Sequence, residues 1–93
     1  MTKITEAEFE RIVTGIIGDR ESIIKHNPIG TDEEILLWML LSCLVSYLNL
    51  TDVETPCFNG KPDAKTYRDA IDLVLKERVD NFEPEKYLAE FAE

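Results

Sequence analysis

His26 and Cys57 are the one histidine and one of the two cysteines of this chain, so the first chemistry to weigh is a Cys–His nucleophilic pair. Such a pair needs the imidazole within hydrogen-bond reach of the thiol and a third group to orient the ring. Asn27, Asn59 and Asp52 are the side chains available for that third role. Neither His26, which precedes Asn27-Pro28, nor Cys57, which precedes Phe58, sits in a recognisable catalytic signature. The chain has no Gly-x-Ser-x-Gly, no His-Glu-x-x-His and no glycine-rich phosphate loop. The expectation is a protein without catalytic residues.

Metal chemistry is the second possibility. One histidine and two cysteines, Cys43 and Cys57, fall short of a Cys/His zinc site, and there is no Cys-x-x-Cys pair. The carboxylates of Asp32-Glu33-Glu34 and of Asp52 and Glu54 lack the ligand spacing and central glycine of a calcium loop. The first cluster is explained as charge at the positive end of a helix. No cofactor or metal is expected. Both thiols are expected to be free, as in a cytoplasmic protein.

A third kind of chemistry is recognition of another protein. Tryptophan and methionine are enriched at interfaces, and Trp38 and Met39 lie side by side in the apolar run 35–50. At 100° per residue, Ser42, Ser46 and Asn49 share one narrow stripe, and Ile35, Trp38 and Met39 fall on or beside it one or two turns earlier. These three apolar residues are the expected partner-binding positions, as an exposed patch or an intermolecular contact.

The elements that position these residues are helical. Thr31 with Glu34 reads as a capping box that opens a helix from Asp32 to about Leu50. Apolar residues occupy nearly its whole circumference, so it must be surrounded. The run has sixteen residues and ends in Asn49 and Thr51-Asp52, too short and too polar at its borders for a membrane span. Upstream, Thr5 with Glu8 reads as a second capping box, with Ile4 and Phe9 placed as a hydrophobic staple. Phe9, Ile12, Val13, Ile16, Ile17 and Ile24 keep helical phase, which favours one helix from Glu6 to about Lys25, kinked or straight; the alternative is that Gly18 ends it and Asp19 caps a short second piece. Gly15 and Gly18 are expected where another helix approaches closely.

His26 to Gly30 breaks the pattern, because Pro28 pushes its predecessor out of the helical region. Residues 51–61 form the long irregular segment, with a turn at Asn59-Gly60. A third helix is expected from Pro62 or Asp63 to Val79, with Tyr67, Ala70, Ile71, Val74, Leu75 and Val79 as its apolar stripe. Its wet side carries Lys65–Asp69, Arg68–Asp72 and Asp72–Lys76 at i,i+4. Glu83-Pro84 opens a short last helix with Tyr87, Leu88 and Phe91 on its buried edge. The fold class is therefore all-α: a compact bundle of three long helices plus a short C-terminal one, in a single domain over 1–93, with the 32–50 helix at the centre.

Net charge is −9 in 93 residues, which speaks against nucleic acid or anionic lipid as a partner. Residues 1–60 hold ten acids and four bases, whereas residues 61–78 hold four acids and five bases. The opening residues lack the basic-then-apolar layout of a secretory signal.

Residues 4–16, Ile-Thr-Glu-Ala-Glu-Phe-Glu-Arg-Ile-Val-Thr-Gly-Ile, resemble the opening helix of the colicin-type nuclease immunity proteins. The resemblance implies a small acidic four-helix protein that blocks a basic nuclease. It covers thirteen residues, and the chain departs from the family elsewhere. The family's nuclease-contacting Tyr-Tyr-Pro element has no counterpart, Thr55-Pro56-Cys57-Phe58 standing in the comparable region. The helix at 32–50 is also far more apolar than the family's acidic second helix. No residue roles carry over. The expected function is a non-catalytic protein–protein interaction or regulatory module, acting on a protein partner or by self-association. The alternative is an acidic inhibitor that neutralises a basic protein.

Overall fold

Helix-start chemistry sets the frame. The structure, a computed structural model, describes residues 4–27, 30–49, 63–76 and 85–91. In chain order the helices are α1 (Glu6–Gly18), α2 (Arg20–His26), α3 (Asp32–Tyr47), α4 (Ala64–Leu75) and α5 (Glu85–Leu88), which runs into a 3₁₀ turn at Ala89–Phe91. The protein is an all-α bundle, and among the described residues no helix is long and apolar enough to cross a membrane.

Thr31 accepts from the Glu34 amide at 3.2 Å while the Glu34 carboxylate accepts from the Thr31 amide at 2.8 Å, the complete box. Thr5 caps α1 by accepting from the Glu8 amide, but the Glu8 carboxylate is engaged elsewhere, by the Tyr47 hydroxyl of α3. The box expected there is thus only half formed, because a partner from another helix takes its second member. Asp63 caps α4 through the amide and hydroxyl of Thr66, both at 2.8 Å. These bonds favour the carboxylate and hold the Asp63 acid below its ordinary range.

The expected single helix over 6–25 is two helices. Asp19 leaves helical geometry at φ −100°, ψ 14°, and its amide bonds back to the Gly15 carbonyl at 3.1 Å. Helix resumes at once, the Ile23 amide bonding the Asp19 carbonyl at 2.9 Å. Two glycines in the last turn of α1 make the interruption inexpensive, and the apolar phase that survives it hides it from a periodicity reading.

Helix α3 is the centre. Leu36, Leu37, Leu40, Leu41 and Leu44 are fully buried, and Leu48 nearly so. It packs on α4, α1, α2 and the C-terminal 3₁₀ turn. It ends at Tyr47, short of the expected Leu50, and Asn49 just beyond has a φ of +54°, the left-handed conformation asparagine tolerates after a helix end. The core is completed by Ile4 and Phe9 of the expected staple, Val13 and Ile16, then Tyr67, Ile71, Val74 and Leu75 of α4, and Leu88 and Phe91.

Two long-range polar contacts secure the C-terminal segment. Tyr87 stacks edge-on to Phe9 at 5.6 Å, and its hydroxyl donates to Glu6 at 3.2 Å. Arg68, read from sequence as a wet-side residue, is half-buried. Its Nη2 donates to Glu33 of α3 at 3.4 Å and to the Leu88 carbonyl at 3.3 Å. One guanidinium therefore ties α4 to both α3 and the last helix.

Candidate functional site: a groove between the N-terminal helices and α3

Direction comes first. Glu8 of α1 meets Tyr47 at the end of α3, and Arg20 of α2 lies 4.0 Å from Asp32 at its start. The α1–α2 pair therefore runs antiparallel to α3. Between them lies an open groove of about 690 Å³. Helix α1 supplies Arg11, Ile12, Gly15 and Ile16, and Asp19 and Ile23 continue the same wall. The facing wall is Met39, Ser42, Cys43, Ser46 and Tyr47, one helical stripe of α3. A shallower depression of about 500 Å³ adjoins it over Ala7, Glu10 and Thr14, sharing Arg11 and Gly15.

The small residues decide the groove's width. A Cβ placed on Gly15 would meet nothing within 4 Å, and the same holds at Gly18. Among the described residues no helix approaches these glycines, against the expectation of a close approach there. Gly15 instead leaves open space along a wall whose other side is Ser42, Cys43 and Ser46.

Arg11, Gly15 and Asp19 fall at i, i+4 and i+8 along one line. At 1.5 Å per residue their backbone positions stand about 12 Å apart along the axis, the basic residue at the Tyr47 end and the acidic one at the Met39 end. Among the described residues neither Arg11 nor Asp19 is in an ion pair. Burial raises the Cys43 thiol above its ordinary value, so it is protonated at neutral pH. Tyr47, 49 % exposed, has its phenol raised chiefly by its hydrogen bond to Glu8, with smaller contributions from desolvation and the Glu8 charge.

The sequence-derived positions separate here. Met39 is half-buried and lines the groove. Trp38 is half-buried, packs against the core and lies outside the groove lining. Ile35, expected on the wet edge, is 1 % exposed and so offers no surface to a partner. The correction has a simple cause: the first turns of α3 are apolar on every side, and the fold covers the side that Ile35 takes. Ser46 and Asn49 are exposed and Ser42 is half-buried, as their stripe implied. Sequence reasoning gave no site role to Arg11 or Cys43, and singled out Gly15 only as a place of close helix approach. The available signal was Gly15, a helix-weakening residue inside an otherwise well-formed amphipathic helix.

Of the catalytic pair weighed above, His26 is exposed at the end of α2, and its Nδ1 donates to the Ser22 carbonyl at 2.7 Å. Cys57, Asp52 and Asn59 lie outside the described residues, as does the irregular segment that contains them. Among the described residues no group of three or more His, Cys, Asp or Glu side chains is placed to hold a metal ion. No protein-family model matches the chain, and no curated protein or solved structure matches it significantly.

Proposed function

We propose that this protein is a non-catalytic interaction module that binds a basic partner protein through the groove between α1–α2 and α3. The observation that carries the reading is the open apolar groove at Gly15, where a helix interior forgoes a side chain although nothing among the described residues fills the space. Grooves of this kind are a common seat for a partner's apolar side chains. The charge chooses the partner's sign. Residues 4–49 hold eight acids and three bases, and one of those bases, Arg20, already faces Asp32. A second copy would bring another chain of net charge −9 against the first, so self-association is disfavoured relative to a basic protein. The same charge opposes nucleic acid and anionic membranes. A cytoplasmic setting belongs to this reading, with Cys43 as a free thiol.

The alternative is an inhibitor that neutralises a basic protein through charge alone, favoured by acids dispersed over α1, α2 and the start of α3. One experiment separates the two. The immobilised chain and its Gly15→Leu variant are challenged with the same lysate at low and high salt, and retained proteins are identified by mass spectrometry. Groove binding predicts a protein held by the parent chain and lost to Gly15→Leu at both salt concentrations. A protein held equally by both chains and released by salt supports the charge-only inhibitor and overturns the groove reading.

A further inference from the structure

Resting on that reading, we infer that the groove takes one amphipathic helix of the partner, lying antiparallel to α1 with its N-terminus at Asp19 and its C-terminus at Arg11. A helix fits better than a strand. Both walls are helices whose backbone groups are bonded internally, so an extended peptide would find no sheet edge to pair with. A helix satisfies its own backbone and offers only side chains.

Length agrees. From Arg11 to Asp19, and again from Met39 to Tyr47, the walls run about 12 Å, or roughly two helical turns. That accommodates apolar side chains at i, i+4 and i+7 of the incoming helix. The small wall residues Gly15, Ser42, Cys43 and Ser46 let its axis come close, since interaxial distance depends on the side chains at the crossing.

Polarity follows from the two charges at the ends. A helix carries roughly half a positive charge at its N-terminus and half a negative one at its C-terminus. Asp19 attracts the first, and Arg11, beside the Glu8 carboxylate that Tyr47 holds, is the cation nearest the second. The reverse orientation sets the negative C-terminus against Asp19. Glu10, in the adjoining depression, faces the flank of such a helix and favours lysine or arginine there.

The test uses the full chain and a synthetic 15-residue peptide, acetylated and amidated so that only its helix dipole distinguishes its ends. Leucine occupies the i, i+4, i+7 and i+11 positions, with lysine and alanine elsewhere, and a nitroxide is attached at either end. Amide NMR spectra of the labelled protein should shift at groove residues. The N-terminal nitroxide should broaden the amides of Asp19 and Ile23, and the C-terminal one those of Arg11 and Tyr47. Gly15→Leu should weaken binding about tenfold or more. The double exchange Arg11→Glu with Asp19→Lys, at two exposed positions, should reverse the broadening pattern.

The opposite pattern in the parent chain, or equal broadening at both ends, overturns the orientation. Failure of the double exchange to reverse the pattern does so too. Absence of groove shifts up to millimolar peptide, or unchanged affinity in Gly15→Leu, overturns helix docking itself. Failure of the functional reading looks different: there the peptide binds as described, but the lysate partner is indifferent to Gly15→Leu.

Discussion

Replacing Gly15 by alanine should make the protein more stable. Glycine inside a helix costs up to about 1 kcal/mol relative to alanine, because its backbone loses more freedom on folding. Position 15 is four residues before Asp19, in the last turn of α1, so roughly 0.5–1 kcal/mol is expected. Nothing offsets the gain. The residue does not take a positive φ, its carbonyl bond to the Asp19 amide is independent of the side chain, and the new Cβ meets no atom within 4 Å. For a domain of this size that corresponds to a rise in Tm of about 2–8 °C. Urea titration followed by circular dichroism gives the free energy directly. Gly30 supplies the control of opposite sign. Its φ is +92°, and a Cβ there would come within 3.3 Å of Glu34 Oε1, the acceptor in the α3 capping box. Gly30→Ala should therefore destabilise. If Gly15→Ala loses 0.5 kcal/mol or more, position 15 is packed rather than open, and the groove argument falls with it.

Leu44→Ala removes a fully buried side chain from the middle of α3 and should cost about 2–5 kcal/mol in the same titration; a loss near zero would place Leu44 at the surface. Arg68→Met should cost about 1–3 kcal/mol, since a hydrogen bond to Glu33 and one to the Leu88 carbonyl disappear together. Limited proteolysis should then cut first in the C-terminal segment, and an unchanged cleavage pattern would show that Arg68 does not hold it. Tyr47 and Tyr87 have raised pKa values, the first chiefly through its bond to Glu8 and the second chiefly through burial. A raised folded-state pKa means their contribution is fully present below the ordinary tyrosine value near pH 10 and is lost as pH rises through the folded values. Melting curves between about pH 9 and 12 should fall less steeply for the double Tyr47→Phe, Tyr87→Phe variant; an equally steep fall would assign the alkaline loss to other groups.

Local grammar was legible in the sequence. The caps at Thr5 and Thr31 form, and the leucines of α3 and the Tyr67–Ile71–Val74 stripe of α4 are buried. Each depends on neighbours within a few residues or on one helical period. What failed was non-local. The break at Asp19 leaves the apolar phase intact, so periodicity reads straight through it. Ile35 could not be placed because the first turns of α3 are apolar all round and therefore favour no face. Glu8 and Arg68 looked local, one to a capping box and one to an i,i+4 pair, yet both reach another helix. The groove was invisible for the same reason, since its two walls come from different helices, on either side of the 27–31 connector.

Gly15 breaks a local rule with no structural return among the described residues. Folding alone favours alanine there, and a chain free to maximise stability would take it. Departures of this kind are expected where a surface is kept for another molecule. The groove then divides the work of binding. Its apolar floor, Ile12, Ile16, Ile23 and Met39, can hold a partner only at contact, so it governs how slowly a complex comes apart. The acidic surplus of residues 4–49 acts at a distance and governs how fast a basic partner arrives. Salt should therefore slow association while leaving dissociation nearly unchanged, and filling the groove at Gly15 should do the reverse.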